Sequence, residues 1–325
     1  MSQAFSDTTL AIEVSNLSKR YGELIAVNNV NLAIPQGAIF GFLGPNGAGK
    51  TTTIRMLLGL IKQTGGSAHL LGYDSVNERT KILPLVGAIV ETPTFYPYLS
   101  GRDNLKELAL VAGVAFKRID EVLEIVELTN RAKDKVKTYS LGMKQRLGIA
   151  AALLNNPRII FLDEPTNGLD PQGTVDMRNL ILRLGQSGHT IFLSSHLLYE
   201  VEHLCSEVAI INKGDLLVQG NVQQLLQGRS KIIMEVNPVN TAINVLTHTL
   251  GEVVTSLGVT QLETSMAAER VPEAVQALVD AGVKIYSVAP QKASLEDYFL
   301  SVTGTGGSDE KPNIALTAIP EMVAA

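Results

Sequence analysis

One short run carries the sharpest chemistry in this chain: Gly44-Pro45-Asn46-Gly47-Ala48-Gly49-Lys50-Thr51. It fits the pattern Gly-x4-Gly-Lys-Thr without a mismatch, and that pattern has a mechanism. Glycines let a loop wrap with its backbone N–H groups turned inward, and a helix starting at its end adds about half a positive charge. An apolar run at 39–43 precedes the loop and a helical run at 52–60 follows it, the context such a loop requires. Lys50 then reaches the β- and γ-phosphates of a nucleoside triphosphate, and the Thr51 hydroxyl ligates Mg²⁺.

A second cluster is Ile159-Ile160-Phe161-Leu162-Asp163-Glu164, an apolar strand ending in two acids. Acids at the end of a buried strand are costly unless a cation neutralises them. Mg²⁺ beside the phosphate loop does that for Asp163, directly or through water. Glu164, one residue on, faces the other way and polarises the water that attacks the γ-phosphate. A general base of this kind contributes roughly 10²–10⁴-fold in rate.

These groups need a scaffold, and the sequence supplies one. Short apolar runs at 10–14, 39–43, 86–90, 159–162, 190–194 and 208–211 are rich in β-branched residues, and several lead into helical patterns. Near-continuous apolar strands indicate a sheet buried on both faces by helices, an α/β domain. Lys213-Gly214-Asp215 reads as a hairpin turn with 216–219 as its second strand. Composition shifts around 220–230, which sets the first domain at 1–222, with a helical subdomain at about 92–155. A strand at 231–236, a helix at 242–250, strands at 253–257 and 261–266, and a closing strand at 284–288 follow. Val271, Ala274, Val275, Leu278 and Val279 recur at helical spacing before that last strand. The order β-α-β-β-α-β predicts a small α+β, ferredoxin-like domain at 230–303. A helix at 295–302 ends it, and 304–325 reads as a flexible tail.

With 325 residues, a prior of roughly 150 per domain gives about two domains. No uncharged apolar stretch approaches the roughly 20 residues of a membrane helix, and the N-terminus lacks a basic segment followed by an apolar one. Cys205 is the single cysteine, which excludes an internal disulfide framework and a thiolate metal cluster. The 27 basic and 32 acidic residues give a net charge of −5, which points away from nucleic acid as the main ligand. The expectation is a cytosolic chain without a membrane span.

Between and after the two phosphate-related motifs lie Tyr139-Ser140-Leu141-Gly142-Met143-Lys144-Gln145-Arg146, then Asn167-Gly168-Leu169-Asp170-Pro171, then Leu193-Ser194-Ser195-His196. This series, in this order, resembles the ATP-binding subunit of an ABC transporter over about residues 10–220. The resemblance implies a P-loop NTPase fold of the ABC ATPase type with a helical subdomain, and ATP hydrolysis as the activity. ATP would be bound by Gly44, Pro45, Asn46, Gly47, Ala48, Gly49, Lys50, Thr51 and Thr52. Tyr21, in Lys19-Arg20-Tyr21-Gly22, resembles the aromatic on which adenine stacks. Ser140 and Gly142 occupy the signature motif, which completes the site of an opposite subunit. Asp170 resembles the residue that couples the two sites across a dimer. His196 resembles the switch histidine that touches the γ-phosphate and orients the attacking water, so the catalytic set is Lys50, Glu164 and His196.

Two motifs depart from the common pattern. Leu141 and Met143 replace a glycine and a glutamine of the signature, and Glu91 stands where the family usually carries glutamine. The Glu91 carboxylate can ligate Mg²⁺ beside Thr51 and Asp163 but cannot donate a hydrogen bond while ionised. Both departures, together with Leu295-Glu296-Asp297-Tyr298-Phe299-Leu300, resemble the bacitracin-, lantibiotic- and daunorubicin-type branch of drug and peptide export or immunity ATPases. That resemblance implies an exporter subunit acting on a drug, antimicrobial peptide or lipid-like substrate. Its partners would be a second ATP-binding subunit, in a homodimer, and a separate ABC-2-type transmembrane permease. It would sit peripherally on the inner face of the plasma membrane, with the aromatic segment Phe95-Tyr96-Pro97-Tyr98-Leu99 as a docking surface. A regulatory or immunity subunit with little hydrolysis, and a non-transport ABC ATPase, are the alternatives.

Overall fold

The computed structural model describes residues 9–226, 231–291 and 294–303. They fall into two compact units divided after Val222. In the first unit ten strands form one sheet: β1 (Leu10–Tyr21), β2 (Leu24–Pro35), β3 (Ile39–Leu43), β4 (Gly65–Leu70), β5 (Tyr73–Asp74), β6 (Val86–Ile89), β7 (Ile159–Asp163), β8 (Thr190–Ser195), β9 (Glu207–Asn212) and β10 (Asp215–Asn221). Their order is β5-β4-β1-β2-β10-β9-β3-β8-β7-β6. From β9 to β6 every pairing is parallel. The other half, from β5 to β2, is antiparallel. One register pair, Asp215 with Asn28, joins β10 to β2 across the seam.

The parallel half follows from the apolar runs. Every residue of β7 and of β8 is buried, as a sheet covered on both faces demands. Phe192 of β8 is fully buried at its centre, with ring centroids 5.4 Å from Phe40, 5.4 Å from Phe42 and 5.3 Å from Phe161. Cys205 is buried against the same sheet, and desolvation pushes its thiol well above the usual range, which removes it from thiolate chemistry.

The antiparallel half is richer than the sequence pattern predicts. β1 runs past residue 14 to Tyr21, and β2, β4 and β5 lie where no strand was expected. Bulges hide them. In β2 the buried positions are Val27, Val30, Leu32 and Ile34, so the alternation slips by one at Asn28-Asn29, where Asn29 takes φ +47°. A bulge of this kind moves every later side chain to the other face.

The helices Gly101–Ala112, Lys117–Ile125 and Leu141–Ala152 lie in the segment expected to be a helical subdomain. Ser100 and Ser140 cap two of them, accepting from the amides of Asp103 and Met143. No described helix is long and apolar enough to cross a membrane.

The second unit holds β11 (Lys231–Asn237), β12 (Val254–Ser256), β13 (Gln261–Thr264) and β14 (Lys284–Gln291), antiparallel in the order β12-β13-β11-β14. Ile232, Met234 and Val236 alternate inward from β11 and meet Ala274 and Leu278 of the helix Val271–Asp280 and Leu246. The helix Leu295–Thr303 follows β14. The tail expected at 304–325 lies outside the described residues.

Because Phe192 anchors three aromatic contacts in a filled core, Phe192→Ala should lower unfolding stability by about 3–5 kcal/mol. Chemical denaturation followed by circular dichroism measures it; a loss below about 1 kcal/mol would contradict the packing described.

Candidate functional site

The parallel order explains the site. β3, β8, β7 and β6 are consecutive neighbours, and each ends at the same edge. Register pairs Leu43 with Ser195 and Ser194 with Asp163, so the residues that follow these strands emerge side by side. The phosphate loop follows β3, His196 follows β8, Glu164 follows β7, and Glu91 comes two residues after β6. Ligand sites in open α/β sheets gather at this carboxyl edge.

Gly44 opens the loop under a tight constraint. A Cβ there would lie 2.3 Å from the Ile211 carbonyl oxygen, and one on Gly49 would lie 2.5 Å from that of Ala26. Gly49 also takes φ +109° as the cap of the helix Lys50–Leu57, and no side chain caps that helix. Its first N–H groups therefore stay open to an anion. Lys50 is buried and folds back over the loop, donating to Gly44 O at 2.7 Å and Pro45 O at 3.3 Å.

The two acids take different partners. Asp163 Oδ2 accepts the Thr51 hydroxyl at 2.8 Å, while its Oδ1 accepts from Ser194 Oγ. Glu164 turns to φ +50°, a left-handed conformation that costs a non-glycine residue about 1–2 kcal/mol. Its amide is held by Ser194 O at 3.2 Å and Ser194 Oγ at 3.1 Å. That turn aims the carboxylate at Lys50 Nζ, 3.2 Å from Oε1, and at His196 Nδ1, 2.7 Å from Oε2. Glu164 Oε1 is buried and faces Lys50 as an ion pair but accepts no hydrogen bond among the described residues, which leaves it capacity for a proton donor such as water.

Thr51, Lys50, Asp163, Glu164 and His196 are thus brought together. A cleft of about 630 Å³ is lined by Lys50, Thr51 and Glu164 of this set, and also by Tyr21, Asn46, Gly47, Gly49 and Thr52. The Tyr21 ring is half exposed, and the Lys19 ammonium covers it at 4.9 Å from the centroid. Leu24, Ile25, Ala26 and Lys213 complete the lining. Motif reading missed these four, since they come from the start of β2 and a hairpin turn that carry no phosphate signature.

Ser140, Gly142 and Asp170 lie elsewhere. They line a separate concavity of about 400 Å³ with Arg146, Gly168 and Gln172, and it shares no lining residue with the first cleft. Ser140 Oγ accepts from Met143 N at 3.2 Å and Asp170 Oδ1 accepts from Gly173 N at 2.9 Å, so both groups sit at helix starts. Glu91 lines neither concavity; it is largely exposed, takes φ +64°, and is ion-paired to Arg55 on the phosphate-loop helix. Tyr96 and Tyr98 are exposed by 67% and 73%, and buried Asn104 pins the segment through Tyr96 N at 2.8 Å and Tyr96 O at 3.1 Å.

The donor set fits Mg²⁺. Thr51 and Asp163 offer a hydroxyl and a carboxylate within hydrogen-bond distance, both hard oxygens. Among the described residues no cluster of three His, Cys, Asp or Glu could hold a metal alone. Mg²⁺ sites of this type need only one or two protein oxygens, because phosphates and water supply the rest.

Residues 27–167 match the model of the ABC transporter family. An uncharacterized ABC transporter ATP-binding protein of Bacillus subtilis (strain 168), YdbJ, is 43% identical over 294 residues, covering 90% of this chain and 95% of the relative. The bacitracin transport ATP-binding protein BcrA of Bacillus licheniformis is 42% identical over 302 residues, covering 91% and 98%. Among solved structures, a dimeric ATP-binding cassette in a post-hydrolysis state bound to ADP and Pi superposes with a TM-score of 0.59 at 28% identity, covering 65% of this chain and 98% of that one. With the phosphate loop, paired acids and histidine assembled on one sheet edge, and with relatives similar along nearly their whole length, this chain belongs to the ABC transporter family as one of its ATP-binding proteins.

Proposed function

We propose that this chain hydrolyses MgATP in a site shared between two copies of itself and thereby drives an exporter of drugs or antimicrobial peptides. The meeting of Lys50, Thr51, Asp163, Glu164 and His196 through direct contacts at one sheet edge, three of them lining one cleft, carries the reading. Backbone N–H groups of residues 44–52 cradle the phosphates, and Tyr21 offers the adenine a stacking face worth roughly 1–3 kcal/mol by analogy with base stacking elsewhere. Lys50 exchanges its loop carbonyls for the β- and γ-phosphates. Mg²⁺, held by Thr51 and Asp163, would neutralise charge that develops on the β- and γ-oxygens. Glu91 is a third candidate ligand, which must first leave Arg55.

Glu164 accepts a proton from the attacking water through Oε1. His196, bonded to Oε2, holds that carboxylate in place and reaches toward the γ-phosphate. Ser140 and Gly142 line a different concavity from Lys50, so one chain contributes only half of each site. A second copy facing head to tail supplies the missing half, a closed two-fold arrangement in which the nucleotide bridges subunits. Asp170, in the signature concavity, couples the two halves.

A separate ABC-2-type permease would carry the substrate, with the chain docked peripherally on the inner face of the plasma membrane. The exposed Tyr96 and Tyr98 support that docking, since aromatics anchor interfaces. The similarity to a bacitracin transport protein supports the substrate class. Domain limits of 1–222, with a helical subdomain at about 92–155, and 230–303 belong to this proposal. The order β12-β13-β11-β14 supports a ferredoxin-like second domain.

Lys50→Ala should lower steady-state ATPase activity by about 10²-fold or more, since it deletes the cation facing the transferred phosphate; wild-type turnover in this variant would refute the assigned site. Glu164→Gln should cut turnover by roughly 10²–10⁴-fold while retaining ATP. Size-exclusion chromatography of that variant in saturating MgATP should give a dimer, and a monomer there would count against the shared site.

A further inference from the structure

Lys213 sits at an unusual place for a lysine. With Gly214 it forms the two-residue turn between β9 and β10, where Asn212 pairs with Asp215. Lys213 takes φ +49° and Gly214 φ +88°, the left-handed pair of a hairpin turn whose first position favours Asn, Asp or Gly. A long side chain there is held against its backbone preference.

The turn is fixed from both sides. Gly214 N donates to Ala48 O of the phosphate loop at 3.0 Å, and Asn28 N donates to Gly214 O at 2.9 Å. Asn28 Nδ2 also donates to Asp215 Oδ1 at 2.8 Å. Lys213 therefore moves with the loop that binds phosphate. Its side chain is exposed, makes no hydrogen bond or ion pair with a described residue, and lines the nucleotide cleft. Behind the turn Gly214 abuts Ile25 and Ala26, which line the cleft just past the Tyr21–Leu24 pair, while Lys50 lines the same cleft from the phosphate loop.

We propose that Lys213 is a second cationic contact for the nucleotide, placed at the α-phosphate between the Tyr21 platform and the Lys50 end. This rests on the nucleotide-binding reading of the cleft. A lysine retained in a backbone conformation that suits asparagine better is explained by what its ammonium meets, not by the turn it forms. The α-phosphate is common to ATP and ADP, so the contact strengthens both equally and leaves hydrolysis itself alone.

Titration calorimetry of wild type, Lys213→Asn and Lys213→Arg with MgATP and MgADP tests this, alongside the melting temperature without nucleotide. Lys213→Asn should weaken ATP and ADP by the same factor, about 10-fold or more for a lost charge-assisted contact. Its nucleotide-free melting temperature should stay level or rise, because Asn suits the turn, and Lys213→Arg should keep most of the affinity. Unchanged affinity in Lys213→Asn, a loss confined to ATP, or a lower melting temperature accompanying the loss would each overturn the proposal. A wild type that binds neither nucleotide would instead overturn the cleft's reading as a nucleotide site.

Discussion

Everything in the first unit is organised around the cost of holding a triphosphate. Several negative charges must leave water, and in the proposed function backbone N–H groups, rather than a cluster of cations, would meet them. That choice demands a loop without Cβ atoms at Gly44 and Gly49, where neighbouring carbonyls stand 2.3 and 2.5 Å from any added methyl. The loop is locked on its outer side by Ile211, Ala26 and the Lys213-Gly214 turn, and on its inner side by β3. The antiparallel half of the sheet, through β2, thus serves as a wall of the binding site.

Within the chain, the charged groups of the site satisfy one another. Lys50 rests on loop carbonyls and on Glu164, Glu164 rests on His196, and Thr51 rests on Asp163. On the proposed function a bound triphosphate would take over several of these partners at once: Lys50 would gain phosphate oxygens, and Thr51 and Asp163 would be freed for a metal. Glu164 would be left with His196 as its fixed neighbour. The network fixes these groups in position through contacts that a nucleotide and a second subunit would have to exchange.

Much of this was legible from residue order because the relevant chemistry is local. The loop from Gly44 to Thr51 and the Asp163-Glu164 pair are each set by a few consecutive residues. The parallel strands were legible because burial on both faces writes an unbroken apolar run, as in β7. What stayed hidden is non-local. The bulge at Asn28-Asn29 broke the alternation that would have revealed β2, and β4 begins with two glycines that carry no pattern. Leu24, Ile25, Ala26 and Lys213 join the cleft only through the β2–β10 seam, a contact between residues almost two hundred positions apart. The Glu91–Arg55 pair was hidden for the same reason: charge at one position does not announce its partner at another.

The central claim is that each ATP site is built from two chains, and mixing variants tests it most directly. Ser140→Ala and Glu164→Gln each disable a different half of the site, so each alone should hydrolyse MgATP slowly. Combined, a mixed dimer contains one site with an intact Glu164 from one chain and an intact Ser140 from the other. The account predicts ATPase activity in the mixture well above the sum of the two separate rates. A mixture that hydrolyses only at that sum would contradict shared sites.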